Sequence, residues 1–177
     1  MVRNPPLLNV TLPLVNANPA LVCGAFAPIA CGGADITVPW YGNTVITPGT
    51  YGDLVVGNGA TISFGPGSYT FCSVKIGSGV SGSVDDAAIL NVDEKFSLGS
   101  GSTMQTSTTT PFVLNVEGRL VRMSQSSSIE AEIRAPFGKV KQQRDATIVG
   151  CSCSDSFIAD KHHTTLCEGS PSGAFID

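Results

Sequence analysis

One stretch of this sequence indicates the fold: Leu54-Val55-Val56-Gly57-Asn58-Gly59-Ala60-Thr61-Ile62. Four degraded copies follow, each with an apolar, a variable and an apolar residue, then a small or polar turn and usually another apolar residue. The copies occupy residues 74–82, 96–104, 121–129 and 140–148, and the third residues of successive copies are 20, 22, 25 and 19 positions apart. Short strands and Gly-rich turns that recur at such a period are typical of a β-solenoid.

Alignment of the five copies places apolar residues in columns, which period-2 alternation assigns to the inward face of each strand. The second column is interrupted by Gln142 and the third by Gly82. The apolar members are Leu54, Val74, Phe96, Val121 and Val140 in the first column, Val56, Ile76, Leu98 and Met123 in the second, and Ile62, Met104, Ile129 and Ile148 in the third. We therefore predict an all-β parallel solenoid of about five to six coils.

Two further patterns support this periodicity. Pro48-Gly49-Thr50-Tyr51 recurs as Pro66-Gly67-Ser68-Tyr69. The turns at 57–59, 77–79 and 99–101 each contain two glycines, which we expect to supply the positive φ of sharp corners. The solenoid is predicted to span residues 44–167, after an N-terminal strand or cap segment at 1–43 and before a C-terminal tail at 168–177.

Composition excludes some classes of function. Only 14% of the 177 residues are charged and the formal net charge is −4, which gives no reason to expect a nucleic-acid partner. No apolar run approaches the roughly 20 residues of a membrane-spanning helix, so no transmembrane segment is predicted. Six cysteines are an even number and indicate an oxidising, extracellular or cell-surface location. The first residues lack the apolar region of a signal peptide, which predicts that a signal was removed or that this is one module of a longer secreted protein.

The disulfide candidates are all six cysteines: Cys23, Cys31, Cys72, Cys151, Cys153 and Cys167. We expect Cys23 and Cys31 to close a short loop, and the last three cysteines to tie down the C-terminal coil and tail, with Cys72 as the candidate further partner. An alternative is a zinc site at Cys151, Cys153, His162, His163 and Cys167, although this spacing matches no common zinc pattern. The interpretation that we favour contains no metal and no other cofactor.

The segment before the repeats has two roles open to it. Within residues 1–22, Leu8-Asn9-Val10-Thr11-Leu12 alternates apolar and polar positions between prolines, which favours an edge strand. This segment either caps the first coil or acts as a donor strand that inserts into a neighbouring subunit. Trp40 and Tyr41, near the entry to the repeats, are expected to plug the end of the core, the alternative being a platform on which a sugar stacks.

The outward columns contain a strip of basic residues. One column holds Val55, Lys75, Ser97, Arg122 and Lys141, and the other holds Asp53, Ser73, Lys95, Leu120 and Lys139. Five of the ten basic residues therefore lie on one sheet, where they form a candidate site for an anionic polysaccharide. The alternative is an ordinary solvated face whose lysines discourage aggregation. Acidic residues concentrate elsewhere, at Asp85, Asp86, Asp93, Glu94, Glu117, Glu130 and Glu132.

The run from Ile46 through Ala60 resembles a group of secreted bacterial β-helix domains of uncharacterised function, which open with a similar "PGxYGxLxVGxGA" motif. Residues 135–140 and 145–150 are similar to later parts of the same group. This resemblance covers roughly residues 44–167 and implies a right-handed parallel β-helix outside the cell. The short coils are also similar to those of bactofilins, which are polymer-forming solenoids.

We therefore expect a non-enzymatic extracellular module with no catalytic residues, which serves a structural or adhesive purpose, such as a building block of a filament or surface layer. Self-assembly, end to end or by donor strand, and glycan binding are the predicted partnerships. The alternative is a polysaccharide-binding or polysaccharide-degrading β-helix protein that uses the basic strip. A likeness to pectate-lyase-like enzymes would imply a Ca²⁺-binding acidic cluster with a basic residue close to it on one sheet, and Asp93 and Glu94 near Lys95 are the nearest candidates.

Overall fold

The computed structural model describes residues 26–108 and 110–160, and the backbone alone of 164–166. Within these residues the chain forms fifteen β-strands and no helix. The strands are β1 (Ile36–Val38), β2 (Asn43–Ile46), β3 (Gly49–Thr50), β4 (Leu54–Val56), β5 (Thr61–Phe64), β6 (Gly67–Ile76), β7 (Ser81–Val84), β8 (Ala88–Leu98), β9 (Thr103–Thr106), β10 (Phe112–Val116), β11 (Leu120–Met123), β12 (Ser128–Gln142), β13 (Thr147–Val149), β14 (Ser152–Ala159) and β15 (Thr164–Leu166).

The strands stack in parallel as a β-solenoid of about six turns, which confirms the predicted fold class. The stack has three faces, which we call A, B and C. Face A contains β1, β4, β11 and the last residues of β6, β8, β12 and β14. Face B contains β2, β5, β7, β9, β13, β15 and the first residues of β12. Face C contains β3, β10 and the remaining parts of the long strands, which turn the corner from C into A. The stack begins at β1, ahead of the predicted boundary at residue 44.

The inward columns predicted from the repeats are the columns of the core. Leu54, Val74 and Phe96 are paired in register, and the series continues through Val121 and Val140. All five side chains are buried, as are the apolar members of the other two columns. Gln142 is also buried, and its Nε2 donates a hydrogen bond of 2.5 Å to the carbonyl oxygen of Ala146. The three columns thus form one continuous apolar core. The polar member of the second column, Gln142, is hydrogen-bonded within its own turn.

The corner between faces A and B explains the paired glycines. The third residue of each four-residue turn has φ between 57° and 68°; these residues are Tyr41, Gly59, Gly79, Gly101, Ser126 and Asp145. Their amides join successive coils, as where Gly59 N–H donates to the Ser78 carbonyl oxygen at 2.9 Å. The first glycine of each pair does not have positive φ. A Cβ on Gly77 would lie 2.8 Å from the Val56 carbonyl oxygen, so this glycine is required for close stacking and only the second for the turn.

The two copies of the Pro-Gly motif, at residues 48–51 and 66–69, do not pair in register. Gly49 pairs with Tyr69 rather than with Gly67, so the two copies are offset by two residues in the sheet. Tyr69 is consequently buried, whereas the half-buried Tyr51 ring stacks on Phe71 with ring centroids 5.5 Å apart.

Residues 29–35 run along the corner between faces C and A, across the coils rather than within one. Ile29 N–H donates to the Glu117 carboxylate at 2.5 Å, and Gly32 N–H donates to the Tyr51 carbonyl oxygen at 3.2 Å. Between these contacts, Cys31 forms a disulfide with Cys72. The predicted Cys23–Cys31 loop is therefore wrong, because Cys31 lies against the second coil and a cysteine forms one disulfide. The predicted pairing of Cys72 with a C-terminal cysteine is wrong for the same reason. Cys23 and the predicted cap or donor strand at 1–22 lie outside the described residues.

Candidate binding surface

The outward columns of face A have the register that the repeats predict. Lys75 pairs with Ser97, Ser97 with Arg122, and Arg122 with Lys141. In the second column Ser73 pairs with Lys95, and Leu120 pairs with both Lys95 and Lys139. The register thus brings the five predicted residues onto one flat face, and we call them the basic strip: Lys75, Lys95, Arg122, Lys139 and Lys141.

The basic strip spans four successive coils. Its side chains are exposed except for Lys141, which is half-buried. No member forms an ion pair among the residues that the structure describes, where the two ion pairs are Arg134–Glu132 and Arg144–Asp145. Arg122 and Lys141 are direct neighbours on adjacent strands, an arrangement that like charges make unfavourable.

Acidic side chains are absent from the outward positions of these four coils on face A, at residues 73, 75, 95, 97, 120, 122, 139 and 141. The acidic residues at the other faces and corners hold backbone or polar groups. Glu130 accepts hydrogen bonds from Thr106 N–H and Oγ1 at 2.9 and 3.0 Å, and Glu132 accepts from Arg134. Within these four coils the cations of the outward columns are therefore not balanced by carboxylates in the same columns. The carboxylate of Asp53, in the preceding coil, accepts a hydrogen bond of 2.8 Å from Ser73 Oγ.

Asp93 and Glu94 occupy the C-to-A corner, directly before Lys95 at the start of face A. Asp93 Oδ2 lies 3.4 Å from Cys31 Sγ, so this carboxylate faces the segment that runs along the corner. Within the described residues no three His, Cys, Asp or Glu side chains are arranged to hold a metal ion. The geometry thus does not bring together the acidic cluster that the enzymatic alternative requires.

Trp40 and Tyr41 do not plug the core. They are 72% and 82% exposed, because they lie at the outer side of the A-to-B corner of the first coil. A Cβ at Gly59 would lie 2.5 Å from Cε1 of Tyr41, and a Cβ at Gly57 would lie 2.6 Å from the backbone nitrogen of Trp40. The two glycines of the next coil thus leave space for this aromatic turn.

Two of the C-terminal cysteines are not available as zinc ligands. Cys151 and Cys153 are both disulfide-bonded, and a disulfide sulfur lacks the thiolate that binds zinc. His162, His163 and Cys167 lie outside the described residues. No helix in the described ranges is long and apolar enough to cross a membrane.

Face C contains a polar ladder that the sequence analysis missed. Asn115 Nδ2 donates to Asn91 Oδ1 at 2.9 Å, and Asn91 Nδ2 donates to Ser68 Oγ at 3.2 Å. Asn115 is 6% exposed, and its Oδ1 is a buried acceptor without a partner in the described chain. Asn91 and Asn115 follow Leu90 and Leu114 by one residue, so the same period that identified the core columns carries this signal too.

Tyr69 is the second buried polar group of interest. Its hydroxyl donates to the Gly65 carbonyl oxygen at 2.9 Å and lies 3.3 Å from the Ile46 carbonyl oxygen. Burial raises the pKa of this phenol above its ordinary value. The neutral hydroxyl therefore links two coils at the corner between faces B and C.

Comparison with known proteins gives no relationship. No protein-family model matches the chain, and no curated protein and no solved structure matches it either.

Proposed function

We propose that this protein is a non-enzymatic structural module of the extracellular space or cell surface, a disulfide-bonded rod that serves as a building block of an assembly. Its disulfides are compatible with an oxidising location. Its apolar core runs through successive coils, so the rod is stiff and repetitive. Such a rod suits spacing, adhesion or filament formation.

The edge of the first coil carries this proposal, because no described strand lies on its outer side. Strands β1, β2 and β3 each pair with one neighbour in the described chain. Ile36 N–H donates to Asp53, and the Val38 carbonyl oxygen accepts from Gly57, both in the next coil. Because backbone groups alternate in direction along a strand, those of the intervening Thr37 point toward the open end. An edge of this kind is a template for another strand.

Large apolar side chains accompany this edge. Trp40, Tyr41 and Val45 are all at least 70% exposed and belong to the first coil. The occupant that we propose is a second copy of the chain, which continues the parallel stack from its own last coil. A contact between unlike ends does not close on itself, so it produces a filament rather than a dimer.

Light scattering and negative-stain microscopy over a range of concentrations test this assembly. We expect the full chain to form end-to-end rods and Thr37→Pro to remain monomeric, because proline removes an edge donor that makes no bond within the stack. Thr37→Val retains that donor and a β-branched shape, so it is the matched control. A full chain that stays monomeric, or a Thr37→Pro variant that still forms rods, would refute the proposal.

Deletion of residues 1–22 separates the two modes of assembly. Rods that persist without this segment indicate coil-to-coil stacking. Rods that disappear, while the monomer keeps its stability, indicate that the segment is a donor strand for a neighbouring copy.

A further inference from the structure

We infer that the basic strip on face A binds a linear anionic polysaccharide that lies along the axis of the solenoid. This inference goes beyond the structural role and does not depend on self-assembly. It follows from the position of the strip, its lack of ion-pair partners among the described residues and its regular spacing.

The position of the strip argues against an aggregation-preventing role. Lysines protect a sheet when they lie on an exposed edge strand. The strands that carry this strip are internal to face A: β6 lies between β4 and β8, and β11 lies between β8 and β12. Their backbone groups are already paired on both sides, so the five cations protect no open edge.

The strip also has an energetic cost that the fold does not offset. Arg122 and Lys141 lie opposite each other, and Lys139 shares the outward side of β12 with Lys141. Like charges in such positions destabilise a sheet. No carboxylate occupies the outward positions of these four coils, so an anionic ligand would relieve this repulsion.

The spacing of the strip suits a linear polymer. Successive coils rise by about 4.8 Å, so the four coils place cations over roughly 14 Å along the axis. Lys75 and Arg122 lie two coils apart in one column, and Lys95 and Lys139 lie two coils apart in the other. A polyanion that lies along the axis therefore contacts a cation at every coil. In the first three coils these cations alternate between the two columns.

Face A favours polysaccharide over nucleic acid. Single-stranded nucleic acids are held by aromatic side chains on which their bases stack. The neighbours of the cations in the two outward columns are Ser73, Ser97 and Leu120. One aromatic side chain, Phe137, is exposed two residues before Lys139, whereas a series of stacked bases needs several. An extracellular location, with which the disulfides are compatible, also favours a carbohydrate polyanion.

The test measures binding of polygalacturonate, a linear polymer of carboxylates, to three forms of the full chain at fixed salt. The double variant Arg122→Gln/Lys141→Gln is expected to lose affinity roughly tenfold or more and to show a weaker dependence on salt. The control Arg134→Gln/Arg144→Gln removes the same charge outside the strip and is expected to bind within about twofold of the unmodified chain. Equal losses in the two variants would overturn the inference, since binding would then depend on net charge alone.

Two further binding measurements test the orientation of the ligand and its chemical class. Oligogalacturonates of increasing length should gain affinity until they span the four coils, and affinity that is independent of length would overturn the axial placement. Oligothymidylate with the same number of charges should bind more weakly than polygalacturonate, and equal or tighter binding would assign the surface to nucleic acid instead. Surface substitutions of this kind change stability little, and thermal unfolding verifies that each variant is folded.

Discussion

Cys31 and Cys72 join the segment before the first strand to the second coil by a disulfide that closes 41 residues of sequence. A loop of this length is expected to contribute up to about 4 kcal/mol through the entropy of the unfolded chain. We expect Cys31→Ser/Cys72→Ser to lower the free energy of unfolding by roughly 2–4 kcal/mol in urea titrations. Cleavage by a protease within residues 26–35 should also increase.

The control for this variant is the unmodified chain treated with a reductant, which opens the other disulfides as well. A double serine variant with unchanged unfolding free energy would show that hydrogen bonds such as Ile29 to Glu117 already fix the segment.

Gly99 and Gly101 belong to one turn and are required for different reasons. A Cβ on Gly99 would overlap the carbonyl oxygen of Gly77 in the preceding coil, whereas Gly101 has φ of 65° and open space around it. We expect Gly99→Ala to cost about 1–3 kcal/mol through overpacking. Gly101→Asn should cost less than about 1 kcal/mol, because asparagine tolerates this conformation.

Thermal and urea unfolding compare these two variants. Gly101→Val is the companion that tests the role of φ, since a β-branched residue at positive φ is strained. The two assignments would be exchanged if Gly99→Ala proved harmless and Gly101→Asn severe.

The fold was predictable because solenoid repeats expose their register in sequence. Leu54, Val74 and Phe96 had to share a column once the period was recognised, and a shift by one residue would have turned the core outward. The basic strip followed from the same register. Lys75, Arg122 and Lys141 lie one residue after the first core column, and Lys95 and Lys139 lie one residue before it. Local periodicity thus determined both the core and the candidate site.

The disulfide pairing was not predictable, because it depends on a path that has no period. Residues 29–35 cross coils along a corner, so Cys31 meets Cys72 rather than its sequence neighbour Cys23. The exposure of Trp40 was missed for a related reason. A turn at the end of a stack has a neighbouring coil on one side only, and composition does not reveal that geometry.

Tyr69 should make stability sensitive to alkaline pH. Burial raises its pKa in the folded state, so the ionised phenol is favoured by unfolding. Stability from this residue is complete below the unfolded pKa of about 10 and is lost as the pH rises from there through the raised folded value. We expect Tyr69→Phe to lose about 1 kcal/mol at neutral pH through its missing hydrogen bonds and to show a shallower decline above pH 10.

Urea titrations between pH 8 and 11 measure this decline. Tyr41→Phe is the matched control, because it removes a tyrosine that is 82% exposed. An identical alkaline decline in both variants would mean that Tyr69 does not contribute to it.

Lys141→Glu should change stability and binding in opposite directions. The substitution replaces a like-charged neighbour of Arg122 with an opposite charge on the adjacent strand. Cross-strand ion pairs of this kind contribute roughly 0.2–1 kcal/mol, so the free energy of unfolding should rise at low salt and the gain should shrink at high salt. Polygalacturonate binding should fall, because the strip loses a cation and gains a repulsive carboxylate.

Lys141→Gln, which removes the repulsion without adding attraction, is the intermediate control. Stability should increase from the unmodified chain through Lys141→Gln to Lys141→Glu, while affinity for polygalacturonate decreases in the same order. Calorimetry and urea unfolding at two salt concentrations measure both series on the same samples. If Lys141→Glu lowered stability, Lys141 would have a packing role on face A through its half-buried stem, and repulsion from Arg122 would not be the dominant effect at this position.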